Sequence, residues 1–175
     1  MNKAIFLDRD GVINEVLSKR VKFVNGLSDI FYLEKVPEAV AILNGAGYKI
    51  FVVTNQGGVG LGYLSSSRLD EIHNKMKQDI EKHGGIIEEF SSCVHKPYEG
   101  CLCRKPEAGM LLDLAEKHEI DLLQSYMIGD REPDIEAGQK AGCLTILIAK
   151  DDSKKIADYS FPSLYQAAKW IAAKI

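Results

Sequence analysis

The strongest constraint on this chain is the alternation of short, wholly apolar runs with stretches of helical spacing. Ala4, Ile5, Phe6 and Leu7 form one such run, YKIFVV at 48–53 a second and LTILI at 144–148 a third. A strand without polar alternation has to be covered on both faces. Between the runs, Val36, Val40, Ile42 and Leu43 recur at helical spacing, as do Leu69, Ile72, Met76 and Ile80, and then Met110, Leu111, Leu114 and Ala115. Punctuation agrees with these helices. Pro37 suits a first turn, Gly45 and Gly47 a last one, Ser65 to Ser67 a cap for a helix to about 82, and Gly142 the end of a short helix over 134–141. Strands are further expected at 86–94, 125–128 and 158–161, and Ser163 opens a terminal helix with Leu164, Ala168 and Ile171 inward. Such an order predicts an α/β fold, a mainly parallel sheet with helices on both faces. No linker, repeat or low-complexity tract divides residues 1–175, so one domain is expected, with long connections at about 15–34 (a flap) and 93–103.

The composition, 46% apolar and 27% charged with a net charge of −3, gives no electrostatic reason to expect nucleic acid or a membrane surface as partner. No apolar run approaches the roughly 20 residues of a membrane span. Met1 leads straight into a strand without the succession of a signal peptide, which points to the cytoplasm. Three of four cysteines, Cys93, Cys101 and Cys103, crowd around His95. In a reducing compartment that pattern reads as metal before disulfide. One imidazole and three thiols suit a tetrahedral structural Zn²⁺ with no open position for water. Cys143 stands apart in apolar surroundings and reads as core.

The chemistry belongs to the strand ends. In KAIFLDRDGVIN, residues 3–14, the first strand delivers Asp8 and Asp10 onto a turn that Gly11 lets bend. Thr54, Asn55 and Gln56 follow the second strand, Arg104 and Lys105 the third and its loop, and Asp130 with Asp134 the fourth. In a parallel sheet these groups converge beyond one edge. Clustered carboxylates repel one another and normally hold a hard cation, for which Mg²⁺ fits best. Hydroxyl, amide and cationic groups are what a phosphoryl group needs around its oxygens. Phosphoryl transfer is therefore indicated, with one carboxylate as nucleophile and a second as acid and base.

LDRDGVIN, VTNQGGVG, CRKP and IGDREPDIEAG, in this order, resemble the four motifs of the haloacid dehalogenase superfamily. DRDGVIN together with C-x-H, C-x-C and RKP resembles more closely the D-glycero-D-manno-heptose-1,7-bisphosphate 7-phosphatases and the related histidinol-phosphate phosphatases. The likeness covers about the first 150 residues and implies a Rossmann-like fold with no large cap domain. It implies Asp8 as nucleophile, Asp10 as acid and base, and Mg²⁺ on Asp8, the Asp10 carbonyl and Asp130. It further implies Thr54 and Lys105 at the transferring phosphoryl group and Arg104 on the substrate, with Asn55, Gln56, Gly57 and Arg131 close by. Asp134 would support the metal or Lys105. The substrate implied is a heptose 1,7-bisphosphate losing its 7-phosphate, or histidinol phosphate or another small phosphomonoester. The chain carries Gly57 where the heptose enzymes usually have Ser, and VLSKRVKFV at 16–24 where they have a Gly-Tyr-Val stretch.

Other classes share parts of this pattern. A receiver domain also phosphorylates an Asp beside a Thr and a Lys, but an acid/base at Asp10 favours turnover. The glycines at 57–62 lack both G-x-G-x-x-G and the P-loop spacing. His73, His83 and His118 fall on predicted helices and are expected at the surface. Lys19, Arg20 and Lys22 form a basic cluster in the flap that either is solvated or takes a second phosphate. With 19.4 kDa and no apolar stripe left over, a monomer is expected.

Overall fold

The computed structural model describes residues 1–151 and 153–175. Its centre is a six-stranded sheet in the order β3-β2-β1-β4-β5-β6, with every neighbouring pair parallel. The strands are β1 (Ala4–Leu7), β2 (Lys49–Asn55), β3 (Glu89–Cys93), β4 (Tyr126–Gly129), β5 (Leu144–Ile148) and β6 (Tyr159–Phe161). The helices are α1 (Val36–Gly45), α2 (Gly57–Gly60), α3 (Ser66–Glu81), α4 (Gly109–His118), α5 (Glu132–Ala141) and α6 (Leu164–Ala173).

The two faces divide the strand residues by parity. Ile5 and Leu7 of β1, Ile50 and Val52 of β2 and Ile128 of β4 pack with Val36, Val40 and Leu43 of α1 and Ala168 and Ile171 of α6. Ala4, Phe6, Phe51, Val53 and Met127 pack on the other face with Met110, Leu111 and Leu114 of α4 and Ala137 of α5. This two-sided burial is what the unalternated runs required. Each fully buried aliphatic or aromatic side chain contributes about 1.5–3 kcal/mol, so the β1 run alone anchors the middle of the sheet.

Chain order reverses at β1. From there the sheet grows to β2 and β3 on one side and to β4, β5 and β6 on the other. The crevice beyond the ends of β1 and β4 is therefore a topological switch point, where ligands bind in open α/β sheets.

Three expectations shift. The third strand is Glu89–Cys93, shorter than the expected 86–94, because Ile86 and Ile87 lie outside its ladder with β2. The glycine turn at 57–60 closes into one helical turn, α2. The flap is anchored: Val21 and Val24 are buried against Leu64, Leu69, Ile72 and Met76 in a third apolar cluster, and a 3-10 turn forms at Leu27–Asp29. Among the described residues no helix is long and apolar enough to cross a membrane.

Candidate active site

β1 ends one residue before Asp8, whose N–H donates to the Ile128 carbonyl of β4 at 3.0 Å. The chain then folds back, with Ile13 N–H donating to the Arg9 carbonyl at 2.8 Å and Gly11 N–H to the Asn14 carbonyl at 2.9 Å. Gly11 has φ +88°, and a Cβ there would stand 2.0 Å from Asp130 Oδ2. Glycine thus serves twice, in the left-handed turn and in letting Asp130 approach from the end of β4. Asp8, Asp130 and Asp134 bring carboxylate oxygens within 4.8 Å of one another.

Lys105 lies among them, 4% exposed. Its Nζ donates to Asp8 Oδ1 at 2.7 Å and to the Val53 carbonyl at 2.8 Å, and pairs with Asp134 Oδ1 at 2.7 Å. An ammonium has three protons to donate, and all three are matched. Asn55 fixes the backbone beneath it: Lys105 N–H donates to Asn55 Oδ1 at 2.9 Å, and Asn55 Nδ2 donates to the Lys105 carbonyl at 3.0 Å. The other Asp134 oxygen accepts from Arg131 N–H at 3.1 Å and closes the first turn of α5.

Asp10 is surrounded by donors. Arg9 Nε and Asn14 Nδ2 reach its Oδ1, both at 3.0 Å, while Arg9 Nη2 and Gln56 Nε2 reach Oδ2 at 3.2 and 3.3 Å. The same Gln56 nitrogen donates to Thr54 Oγ1 at 2.9 Å. The buried Thr54 hydroxyl accepts that bond and keeps its own proton for another partner.

Burial pushes the Asp8 carboxyl up to about 8, outweighing the Lys105 ammonium, and the charges of Asp134 and Asp130 add to the rise. Burial also raises Asp130, with Asp134 contributing. Lys105 is raised as well: burial opposes its charge, but Asp8 and Asp134 prevail. Asp130 Oδ1 is buried and makes no hydrogen bond. Crowded carboxylates of raised pKa with an orphaned oxygen are a donor set that fits a hard, oxygen-seeking divalent cation.

Arg104, Lys105 and Pro106 share a cleft of about 270 Å³ with Pro97, Tyr98 and Cys101 of the preceding loop. Arg104 Nη1 is buried without a hydrogen-bond partner, in position to meet an anion there. Gly57 lies against Arg104: a Cβ at Gly57 would come 3.1 Å from that nitrogen. Arg131 is exposed at the start of α5.

The loop brings its four ligand-bearing side chains together. Cys93 Sγ stands 2.8 Å from Cys103 Sγ, 3.6 Å from Cys101 Sγ and 3.4 Å from His95 Nδ1, and His95 Nδ1 is 3.1 Å from Cys103 Sγ. Cys93, Cys101 and Cys103 are free thiols. Zinc–sulfur bonds of about 2.3 Å in a tetrahedron hold sulfurs about 3.8 Å apart, so a modest outward relaxation accommodates the ion. Cys143 is buried, as expected of core.

Two surface expectations fail. His73 is only 6% exposed, and His118 is half-buried, 3.0 Å from Glu89 Oε1 and against the Phe51 ring. His83 alone of the three is exposed. His73 follows Leu69 by four residues and precedes Met76 by three, which puts it on the inward stripe of α3; that spacing was the available signal. Arg9 and Asn14 are both buried and both bond Asp10, and no local sequence signal marks either. In the flap, Arg20 is bound by Glu15 and lies 4.4 Å from the Phe31 ring centroid.

The chain is similar to known proteins in sequence and fold. The chain matches the HAD-hydrolase-like family over residues 102–168. It is 34% identical over 153 residues to the D-glycero-beta-D-manno-heptose-1,7-bisphosphate 7-phosphatase of Bordetella bronchiseptica, covering 87% of this chain and 84% of the relative. It is 33% identical to the D-glycero-alpha-D-manno-heptose-1,7-bisphosphate 7-phosphatase of Photorhabdus laumondii, covering 85% and 82%. The crystal structure of the D,D-heptose 1,7-bisphosphate phosphatase from B. bronchiseptica, complexed with magnesium and phosphate, superposes with a TM-score of 0.89 at 30% identity, covering 99% of each chain. With this identity over most of both chains, the protein belongs to the D-glycero-D-manno-heptose-1,7-bisphosphate 7-phosphatase family of haloacid dehalogenase-like phosphatases.

Proposed function

We propose that the chain is a Mg²⁺-dependent phosphatase that removes the 7-phosphate of D-glycero-D-manno-heptose 1,7-bisphosphate through a phosphorylated Asp8. The observation that carries this reading is the meeting of Asp8, Asp130, Asp134 and Lys105 at the switch point. Asp8, the Asp10 carbonyl and Asp130 would hold Mg²⁺. When bound, the ion supplies charge neutralisation between the carboxylates and the incoming phosphate.

An Asp8 oxygen attacks phosphorus, the P–O bond to the sugar breaks, and Asp10 gives its proton to the departing oxygen. Asp10 then takes a proton from a water that attacks the phosphorylated Asp8, which returns the free carboxylate and inorganic phosphate. The free Thr54 proton faces the phosphoryl oxygens as charge redistributes, and Lys105, its protons engaged by Asp8, Asp134 and Val53, contributes its positive charge beside them. Asn55 and Asp134 keep Lys105 in place. Arg104, with Gln56, Gly57 and Arg131 nearby, takes the substrate in the cleft beside the cysteine loop. An acid/base two residues beyond the nucleophile separates this reading from a receiver domain, which has to preserve its phosphoryl group.

The cysteine loop would carry a structural Zn²⁺ on Cys93, His95, Cys101 and Cys103, fixing the segment that leads into Arg104 and Lys105. We read residues 1–175 as one catalytic domain acting as a cytoplasmic monomer on a small phosphorylated molecule, with the flap and the loop selecting the substrate. Three free thiols in one loop suit a reducing compartment.

Phosphate release from both anomers of heptose 1,7-bisphosphate and from histidinol phosphate, with and without Mg²⁺, tests the assignment. Preference for a heptose bisphosphate and loss of turnover in Asp8→Asn are expected. Turnover persisting in Asp8→Asn rejects the covalent route, and a preference for histidinol phosphate rejects the substrate.

A further inference from the structure

Arg9 is 1% exposed, a buried cation between two catalytic-site carboxylates in sequence. Its guanidinium makes a forked contact with Asp10: Nε donates to Oδ1 at 3.0 Å and Nη2 to Oδ2 at 3.2 Å. The remaining terminal nitrogen, Nη1, stands 3.1 Å from His73 Nε2. Arg9 can only donate, so Nε2 is the acceptor and the imidazole is neutral with its proton on Nδ1. The His73 ring is fixed in turn by stacking on Phe90, centroids 4.4 Å apart at 17°. Burial and the Arg9 charge push the imidazole down to about 3, which keeps it an acceptor throughout the working range.

We propose that His73 is a positioning residue for the phosphatase reaction, acting through Arg9 to orient the Asp10 carboxyl that exchanges the proton. This rests on the assignment of Asp10 as acid and base. A guanidinium gripped by Asp10 alone can swing about the shared contact, while a third contact to a stacked ring fixes its plane. A fixed guanidinium plane fixes both Asp10 oxygens; Asn14 holds Oδ1, and the 3.3 Å contact from Gln56, whose nitrogen also bonds Thr54, is the one that yields when Oδ2 carries the proton. The chain therefore links α3 and β3, outside the strand ends, to the proton-transfer group. As the Asp8–phosphorus bond forms and the sugar–phosphorus link breaks, the leaving oxygen takes the Asp10 proton, and that is the step a misaligned Asp10 slows.

His73→Phe keeps the stacking partner and removes the acceptor; His73→Gln restores an acceptor on a flexible stem. The readout is kcat/KM, which reports phosphoryl transfer to Asp8, for an alkyl phosphate whose leaving oxygen needs a proton and for p-nitrophenyl phosphate, whose leaving group does not. His73→Phe is expected to lose about 10–100-fold on the alkyl phosphate, with KM nearly unchanged, and less than about threefold on the aryl ester. His73→Gln should recover a large part of that loss. Equal losses on both esters, or no loss, overturn the proposal, since a general disturbance of the site cannot discriminate leaving groups. Asp10→Asn is the control arm. If it also fails to discriminate, the assignment of Asp10 falls and the proposal with it; if it discriminates while His73→Phe does not, the proposal alone falls.

Discussion

Lys105→Met is the substitution that most directly probes how the site is held together. It keeps an unbranched stem of similar length and removes the one ammonium that pairs Asp8 and Asp134 at 2.7 Å each and donates to Val53 at 2.8 Å. Removing one partner of a buried ion pair costs about 3–5 kcal/mol, because the remaining charge is left without compensation. For a domain of this size that is a fall in Tm of roughly 6–20 °C. The pH dependence gives the reason away. Asp8 already titrates near 8 in the metal-free protein, and loss of Lys105 raises it further because the ammonium was lowering it. At pH 6 Asp8 is protonated in both proteins, so the deficit comes from Asp134 and the Val53 bond. At pH 9 the wild type ionises Asp8 beside an ammonium and the variant does not have one, so the deficit grows as pH rises through about 8. Urea denaturation without Mg²⁺ at both pH values measures it. Lys105→Met/Asp134→Asn should be more stable than Lys105→Met alone. A deficit equal at pH 6 and 9, and unrelieved by Asp134→Asn, would refute buried charge as its cause.

In metal-free buffer the raised Asp8 and Asp130 groups stabilise the fold fully below their unfolded value of 3.8 and lose that contribution as pH rises through their folded values, which for Asp8 is about 8. Added Mg²⁺ should therefore raise Tm more at pH 8.5 than at pH 5; an equal rise at both contradicts the shift. Gly11→Ala puts a Cβ 2.0 Å from Asp130 Oδ2 at φ +88°. It should cost about 1–2 kcal/mol for the backbone alone and weaken Mg²⁺ binding by more than tenfold in a titration, whereas unchanged affinity means Asp130 is not a ligand. Metal analysis should find about one zinc per chain in the wild type and almost none in Cys101→Ser. Wild-type protein lacking zinc after growth in zinc-supplemented medium removes that ion from the loop.

Much of this architecture could be read from the chain because the relevant signals are local. Unalternated runs such as AIFL require cover on both faces, and their alternation with helical spacing leaves a parallel sheet as the economical solution. Asp8, Thr54, Lys105 and Asp130 could be brought to one edge by topology alone, without any knowledge of side-chain contacts. What escaped depends on pairing across distance. Asn55 reads as a substrate group from its position beside Thr54, yet both ends of its amide are taken by the Lys105 backbone 50 residues away. Nothing local marks Arg9, and its buried contact is with His73 on α3, 64 residues later. The flap reads as polar because its basic residues dominate, while Val21 and Val24, which hold it down, are two residues in a long irregular stretch.

The charges of the site explain why the cation and the substrate are needed together. Asp8, Asp130 and Asp134 against Lys105 leave an excess of two negative charges within a few ångströms when all are ionised. A phosphate dianion would be repelled from such a site, and Asp8 is held in its protonated form up to about 8, by burial first and then by the charges of Asp134 and Asp130. A protonated Asp8 is a poor nucleophile. One divalent cation held by these carboxylates would cancel the excess, favouring the carboxylate form of Asp8 and lowering the barrier to an anionic substrate together. Lys105 alone cannot do both, because its three protons are already committed to Asp8, Asp134 and Val53. The unpartnered Arg104 nitrogen beside the cleft would then supply the remaining positive charge that favours a phosphate over water at that place.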